Sequence, residues 1–355
     1  MKPSVTATES YDWPPLGEGD EMKFGVFDHM DEADVPLGRQ FEERLRLIEA
    51  YDRFGFYAYH VAEHHGTPLG LAPSPGIFLA AVAQRTKQLR LGPLVYSLPL
   101  YHPIRLIEEI CMLDQLSGGR FELGVGRGVS PIEVGFYGVD PGAGPRQFPE
   151  ALRLILEGLA ADELRFSGDF YQFEKVPMVL RPVQKPHPPL WYGVVTPEGT
   201  HWAAKEGAHM VTLLPTEGAR AVVDRFRTEW AGFGRSEADF PLCGVMRLVV
   251  LAESDAEAQG TAERAYASWL GHMRLLWDQK GLAFPLGLPP EFGPLAEAGA
   301  AFAGTAAGFR DYVEQSVESI GANYVTCDVA FGDMTFDEAM RTTELIGEQV
   351  IPAFQ

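Results

Sequence analysis

Two short segments of the chain carry side chains that could perform chemistry together. The pair His64-His65 follows a strand-like apolar run over residues 56–62. Arg127 lies within the spacing Gly-x-Gly-x-Gly of residues 124–128, after another such run. A histidine titrates near neutral pH and can act as a general acid or base, whereas glycines and an arginine suit a phosphate. In a parallel barrel both segments would meet at the carboxyl end of the strands.

Three interpretations of the histidine pair stay open on sequence alone. Neighbouring residues at a strand end point to opposite faces, so at most one of His64 and His65 faces the site unless the strand has already ended. One interpretation is a packed core or loop histidine, and a second is a general acid or base. A metal ligand is the third and weakest, because Glu-His-His lacks the spacing His-Glu-x-x-His and has no obvious third ligand. We therefore expect no metal.

Two further residues could complete a phosphate site with Arg127. Arg146 precedes a predicted helix over residues 148–160, where a second cation would suit a dianionic phosphate. Thr196 follows a strand-like run over residues 190–195 and is a predicted N-cap. Its hydroxyl and nearby amides could contact the same phosphate, although an ordinary cap explains the residue equally well.

Strand and helix patterns alternate along almost the whole chain, which predicts an α/β fold. Eight strands, seven of them followed directly by a helix, favour a (β/α)8 TIM barrel with insertions. A doubly wound sheet would normally carry a glycine fingerprint after its first strand, and none is present. The predicted strands cover residues 23–27, 56–62, 89–98, 120–125, 190–195, 209–213, 244–252 and 324–330.

The domain prediction is a flexible arm over residues 1–22 and one barrel over residues 23–355. Such barrels run from about 250 to above 400 residues, so 355 residues need no second domain. Insertions are predicted near residues 162–189, which start with a hairpin, and near residues 278–304. Residues 281–304 are rich in Gly and Pro and too long for an ordinary connection, which is typical of a lid or a disordered loop.

Composition excludes several classes of protein. A net charge of −20 argues against a nucleic-acid or anionic-membrane surface. No apolar run approaches the ~20 residues of a membrane span, and the acidic first residues do not resemble a signal peptide. The three cysteines are odd in number and lie in apolar stretches, which indicates buried thiols in a reducing, cytoplasmic compartment.

Six motifs together resemble the bacterial luciferase-like flavin monooxygenases, and the resemblance covers nearly everything from Lys23 onward. They are AEHH at 62–65, GLAPSP at 70–75, LPLYHPIR at 98–105, LDQLSGGR at 113–120, GVGRG at 124–128 and VIP at 350–352. The resemblance implies a barrel that binds reduced FMN, or in one branch a deazaflavin, at the carboxyl end of its strands. It also implies a mobile lid at residues 281–304.

The resemblance implies roles for individual residues. His64 is similar to the active-site histidine beside the reactive flavin carbon. Leu94-Val95 corresponds to a non-proline cis peptide under the flavin ring. The phosphate-side contacts would be Arg127, Val129, Arg146 and Thr196. Two positions depart from the family: the reactive cysteine of true luciferases is replaced by Gly126, so we expect no light emission, and an acidic phosphate-side residue is replaced by Val195.

The predicted function is a two-component monooxygenase. A separate reductase would supply reduced FMN, which forms a flavin hydroperoxide with dioxygen, and His64 would handle protons around it. Four side chains predicted to line the pocket suggest an apolar substrate such as an aldehyde, ketone or terpenoid; these are Phe27, Tyr59, Tyr96 and Phe331. The alternatives are hydride transfer with a deazaflavin and a non-catalytic flavin-binding subunit. A homodimer is expected by analogy with the family.

Overall fold

The computed structural model describes residues 22–128 and 130–355. The predicted arm lies outside these residues except for Met22, which is buried. The strands are β1 (Lys23–Asp28), β2 (Ala58–Val61), β3 (Arg90–Pro93), β4 (Tyr96–Ser97), β5 (Leu123–Gly126), β6 (Glu163–Ser167), β7 (Gln172–Pro177), β8 (Leu190–Gly193), β9 (His209–Thr212), β10 (Cys243–Leu251), β11 (Ala301–Gly304) and β12 (Tyr324–Asp328).

Helices follow most of these strands, as the sequence pattern predicts. They are α1 (Leu37–Phe54), α2 (Pro75–Arg85), α3 (Pro103–Ser117), α4 (Pro131–Phe136), α5 (Gly144–Ala160), α6 (Thr200–Glu206), α7 (Thr216–Gly232), α8 (Asp255–Lys280), α9 (Phe292–Glu297), α10 (Ala306–Tyr312) and α11 (Phe336–Leu345). Glycines at 55, 118, 207 and 281 end four of them in the left-handed conformation, which costs glycine little. No helix within the described ranges is long and apolar enough to cross a membrane.

The strands form a nearly closed parallel barrel, which confirms the predicted fold class. Nine strands follow one another in the order β3-β2-β1-β12-β10-β9-β8-β5-β4. Leu91 of β3 also pairs in parallel with Phe121 ahead of β5, which brings the two ends of this path together. A small cluster that includes Trp191 and Tyr324 fills the interior, and a larger apolar layer separates the strands from the helices.

The predicted hairpin is present as the antiparallel pair β6 and β7. Two details differ from the sequence prediction. The third predicted strand is divided into β3 and β4, on either side of the cis peptide bond Leu94-Val95. The stretch 281–304 is not one long loop, because it contains α9 and also β11, which pairs in parallel with β10. Only residues 281–291 and 298–300 of this stretch remain without helix or strand.

Candidate active site

His64 lies in the loop after β2, at the carboxyl end of the barrel. The strand ends at Val61, so His64 and His65 are loop residues and are not bound by strand alternation. The His64 side chain is 21% exposed and lines a cleft. Gly70 packs behind it, and a Cβ at that position would lie only 2.7 Å from the Cβ of His64. A glycine is therefore needed where this loop folds back on itself.

Glu133 of α4, in the same wall of the cleft, holds the loop in place. Its Oε1 lies 3.3 Å from His64 Nδ1, and its Oε2 accepts a hydrogen bond of 2.8 Å from the backbone N–H of His65. Burial raises the pKa of this carboxyl, but the hydrogen bond and charge of His64 outweigh it, so the pKa of Glu133 is lowered. An anionic Glu133 fixes Nδ1–H of His64 as a donor, so Nε2 is the ring nitrogen that Glu133 does not contact.

Sequence reasoning missed Glu133, although a local signal exists. Ser130 caps α4 by accepting a hydrogen bond from the backbone N–H of Glu133, and Ser-x-x-Glu is the pattern of a capping box. In a capping box the glutamate bonds back to the cap residue. Here its carboxylate bonds His64 and His65 instead.

His65 points away from the cleft and belongs to a second network. Its Nε2 lies 2.9 Å from Glu63 Oε1, and its Nδ1 lies 2.8 Å from the hydroxyl of Tyr137. Tyr101 donates a 2.7 Å hydrogen bond to the other oxygen of Glu63. Of the two histidines, only His64 lines the cleft.

The cleft beside His64 is mainly apolar, is partly open to solvent and has a cavity volume of about 40 Å³. The loops after β2 and β5 form one wall, and α8 together with residues 284–286 forms the other. The lining residues are His64, Thr67, Leu69, Ser130, Glu133, Met273, Leu276, Trp277, Phe284, Pro285 and Leu286. Trp277 and Phe284 meet edge to face, with ring centroids 6.1 Å apart, so residues 281–291 lie over the cleft as a lid would.

The predicted phosphate residues lie at the same end of the barrel. Arg127 and Thr196 follow β5 and β8, which are paired neighbours in the sheet, and both side chains are exposed. Arg146 is in the first turn of α5, with its guanidinium 5.6 Å from the ring centroid of Phe170. Thr196 is the N-cap of a short 3-10 helix, yet its side chain makes no capping hydrogen bond. Val129 lies outside the described residues.

The cis peptide Leu94-Val95 packs directly against the glycines of β5. A Cβ at Gly126 would overlap Val95, and a Cβ at Gly124 would overlap the backbone of Pro93. The glycines of this motif are therefore explained in part by strand packing. Gly128 has φ +81°, where side chains other than glycine are strained.

None of the four predicted pocket residues lines the cleft. Tyr59, Tyr96 and Phe331 are fully buried, and both tyrosines bond outward: Tyr59 donates to Asp28 and Tyr96 to Glu109 of α3. For the two tyrosines the prediction was wrong because it took the outward phase of their strands for the inward one. Phe27 is only partly buried and packs against His29.

The comparisons with known proteins identify the family. The family model of luciferase-like monooxygenases matches residues 22–318, and the chain belongs to this family. It is 43% identical to the uncharacterised protein y4wF of Sinorhizobium fredii, over 93% of this chain and 97% of that protein. It is 26% identical to the oxygenase component of a flavin-dependent trigonelline monooxygenase of Acinetobacter baylyi, over 94% of this chain and 96% of that one.

Solved structures agree with this assignment. Monooxygenase RslO1 of Streptomyces bottropensis matches with a TM-score of 0.84 and 26% identity, over 94% of this chain and all of that one. The same fold occurs in a Baeyer-Villiger monooxygenase of Pseudomonas putida in complex with FMN, with a TM-score of 0.78 and 16% identity over 94% of this chain and 99% of that one. It also occurs in a coenzyme F420-dependent reductase of Methanopyrus kandleri, with a TM-score of 0.70 and 19% identity over 94% of this chain and all of that one.

Proposed function

We propose that the protein is the oxygenase component of a two-component monooxygenase that uses reduced FMN and dioxygen to oxidise an apolar organic substrate, such as an aldehyde, ketone or terpenoid. The observation that carries this proposal is the position of His64, which Glu133 holds at the edge of an apolar cleft. The likeness to an oxygenase component over nearly the full length of both chains supports it.

The residues near Arg127 fit a flavin phosphate. Within the described residues no carboxylate pairs with the guanidinium of Arg127 or Arg146, although the chain as a whole is strongly acidic. Gly193, at the end of β8, is exposed, and a Cβ placed on it would have open space around it. Two cations without carboxylate partners beside open backbone are suited to a dianion.

In the proposed reaction the reduced flavin supplies the chemistry with dioxygen, and the chain positions and protects it. Arg127, Val129, Arg146 and Thr196 would contact the phosphate side of the flavin, and Leu94 and Val95 would lie under its ring. His64 would hold or release a proton at Nε2, because Glu133 occupies Nδ1. Leu276, Trp277 and Phe284 would exclude water from the cleft.

An oxygen-consumption assay tests this proposal. Reduced FMN, supplied by an unrelated flavin reductase, is offered with a panel of apolar aldehydes, ketones and terpenes, and product is compared with oxygen consumed. We expect coupled product formation by the wild type and loss of coupling in His64→Gln. Equal coupling in both proteins would remove the role given to His64.

A binding titration distinguishes FMN from the alternative cofactor. Structures that use F420 share the fold, so binding of FMN, riboflavin and F420 should be titrated side by side. Tight binding of F420 alone would favour deazaflavin hydride transfer over the monooxygenase. Flavin binding without any turnover would favour a non-catalytic subunit.

A homodimer is part of the proposal, and an exposed apolar surface supports it. Met112 and Leu116 of α3 are 54% and 47% exposed. Val179 and Val183, in the link between β7 and β8, are 86% and 47% exposed. Gln115 donates a hydrogen bond to the carbonyl of Arg181, which places the link beside α3. Light scattering should give twice the chain mass, and Met112→Glu should lower it towards the monomer. A monomeric wild type would contradict the dimer.

A further inference from the structure

A second imidazole lies directly behind the ring of His64. His29 follows β1, and its ring centroid is 5.8 Å from that of His64, with an angle of 28° between the planes. The side chain of His29 is 6% exposed and that of His64 is 21% exposed. His64 lines the cleft and His29 does not, so one ring faces the cleft and the other supports it from within the protein.

The orientation of His29 is fixed by two other elements of the barrel. Its Nδ1 lies 3.0 Å from Oδ2 of Asp328, at the end of β12. The indole Nε1 of Trp269 on α8 lies 3.3 Å from the same nitrogen, and Phe27 meets the ring edge to face. A protonated Nδ1 donates to Asp328, whereas an unprotonated one can accept from Trp269. Both states of the ring therefore have a partner.

The charges around His29 favour its protonated form. Burial lowers the pKa of His29, but the hydrogen bond and charge of Asp328 outweigh burial and raise it. Burial also raises the pKa of Asp328, to about 6, against the opposing effect of His29. The titratable and charged groups that surround the stacked rings are Asp28, Asp31, Asp328, Arg44, Glu133 and His272.

We propose that His29, held by Asp328, is a second proton-carrying residue of this site and acts as a positioning residue whose protonation is coupled to His64. The coupling arises because two imidazolium rings at 5.8 Å would repel each other. This repulsion separates the two protonation steps, because a proton on one ring disfavours a proton on the other. Groups that interact this strongly titrate as a pair, and each reports both steps.

NMR of the protein without flavin tests the coupling. The histidines are labelled with ¹³C at Cε1, and the signal of His29 is assigned by its absence in His29→Gln. We expect the titration curve of this signal to differ between the wild type and His64→Gln, because the variant removes the charge of the neighbouring ring while Asp328 stays in place. In Asp328→Asn its main midpoint should fall by about one unit or more. His102→Gln, at an exposed histidine before α3, is the matched control and should leave the His29 curve unchanged.

Two outcomes would overturn the inference. The first is a His29 titration that is identical in the wild type and in His64→Gln. The second is a His29 midpoint in the wild type below the ordinary value of about 6.5, a measurement that needs no folded variant. The coupling between His29 and His64 is independent of the proposed function, and only its part in turnover rests on that function. Failure to consume oxygen with a normal His29 titration would contradict the function and leave the coupling intact.

Discussion

Replacing Arg127 by alanine tests the phosphate site most directly. The guanidinium is exposed after β5, and no carboxylate within the described residues neutralises it. If it binds the flavin phosphate, Arg127→Ala removes charge-assisted hydrogen bonds to a dianion. Such bonds contribute about 1.5–3 kcal/mol, and about 1.4 kcal/mol corresponds to a factor of ten in Kd. Because the site is open to solvent and salt screens it, we expect a loss of about 10- to 100-fold.

The assay compares two ligands that differ only in the phosphate. Oxidised FMN and riboflavin are titrated by fluorescence quenching at low and at moderate salt. Arg127→Ala should weaken FMN binding and leave riboflavin binding almost unchanged, and the loss should shrink as salt rises. Arg105→Ala removes an exposed arginine from α3 and is the matched control. The assignment is refuted if FMN and riboflavin lose affinity equally, or if neither does.

Three further predictions follow from the structure. Glu133→Gln should lower coupled turnover about 10-fold or more, since the amide cannot both accept from His64 and keep its bond to His65; wild-type turnover would contradict this. Phe284→Ala should open the cleft and increase uncoupled oxygen consumption with no change in the Kd for FMN, and unchanged coupling would argue against a lid. Burial lowers the pKa of His60 to about 3. Below about pH 6.5 the unfolded chain therefore binds a proton that the folded chain does not, and the free energy of unfolding decreases as the pH is lowered. Between about pH 7.5 and about pH 5 the wild type should lose about 2 kcal/mol more than His60→Gln in urea unfolding, and equal losses would disprove the assignment.

The order of elements was predictable from the sequence because its signals are local. Strand β12 lies within the predicted residues 324–330, and α1 ends where Gly55 takes φ +79°. Pairing between distant segments left no such signal. Strand β11 lies beside β10 only because α8 carries the chain back along the barrel, and the Gly- and Pro-rich composition around it suggested a loop.

The site was only partly predictable, for a related reason. The motifs identify His64 and Arg127, but the partners of His64 come from far away in the chain. Glu133 is 69 residues later, and His29 reaches it from the end of β1. The prediction of aromatic pocket residues was wrong where it depended on strand phase. Phe27 is in register with His60 and Val26 with Tyr59, so a shift of one residue moves a side chain from the interior of the barrel to its exterior.

The two carboxyl groups beside the stacked histidines have environments that shift their pKa values in opposite directions. The pKa of Glu133 is lowered by its hydrogen bonds to the loop, whereas burial raises that of Asp328 to about 6. Glu133 therefore stays charged and fixes the tautomer of His64, while Asp328 and His29 can exchange a proton near neutral pH. A site that needs one fixed imidazole and one adjustable charge beside it requires this asymmetry. Exchanging the shorter and longer carboxylates, as Glu133→Asp with Asp328→Glu, should disturb both the tautomer of His64 and the charge at His29, because α4 positions one carboxylate and the end of β12 positions the other.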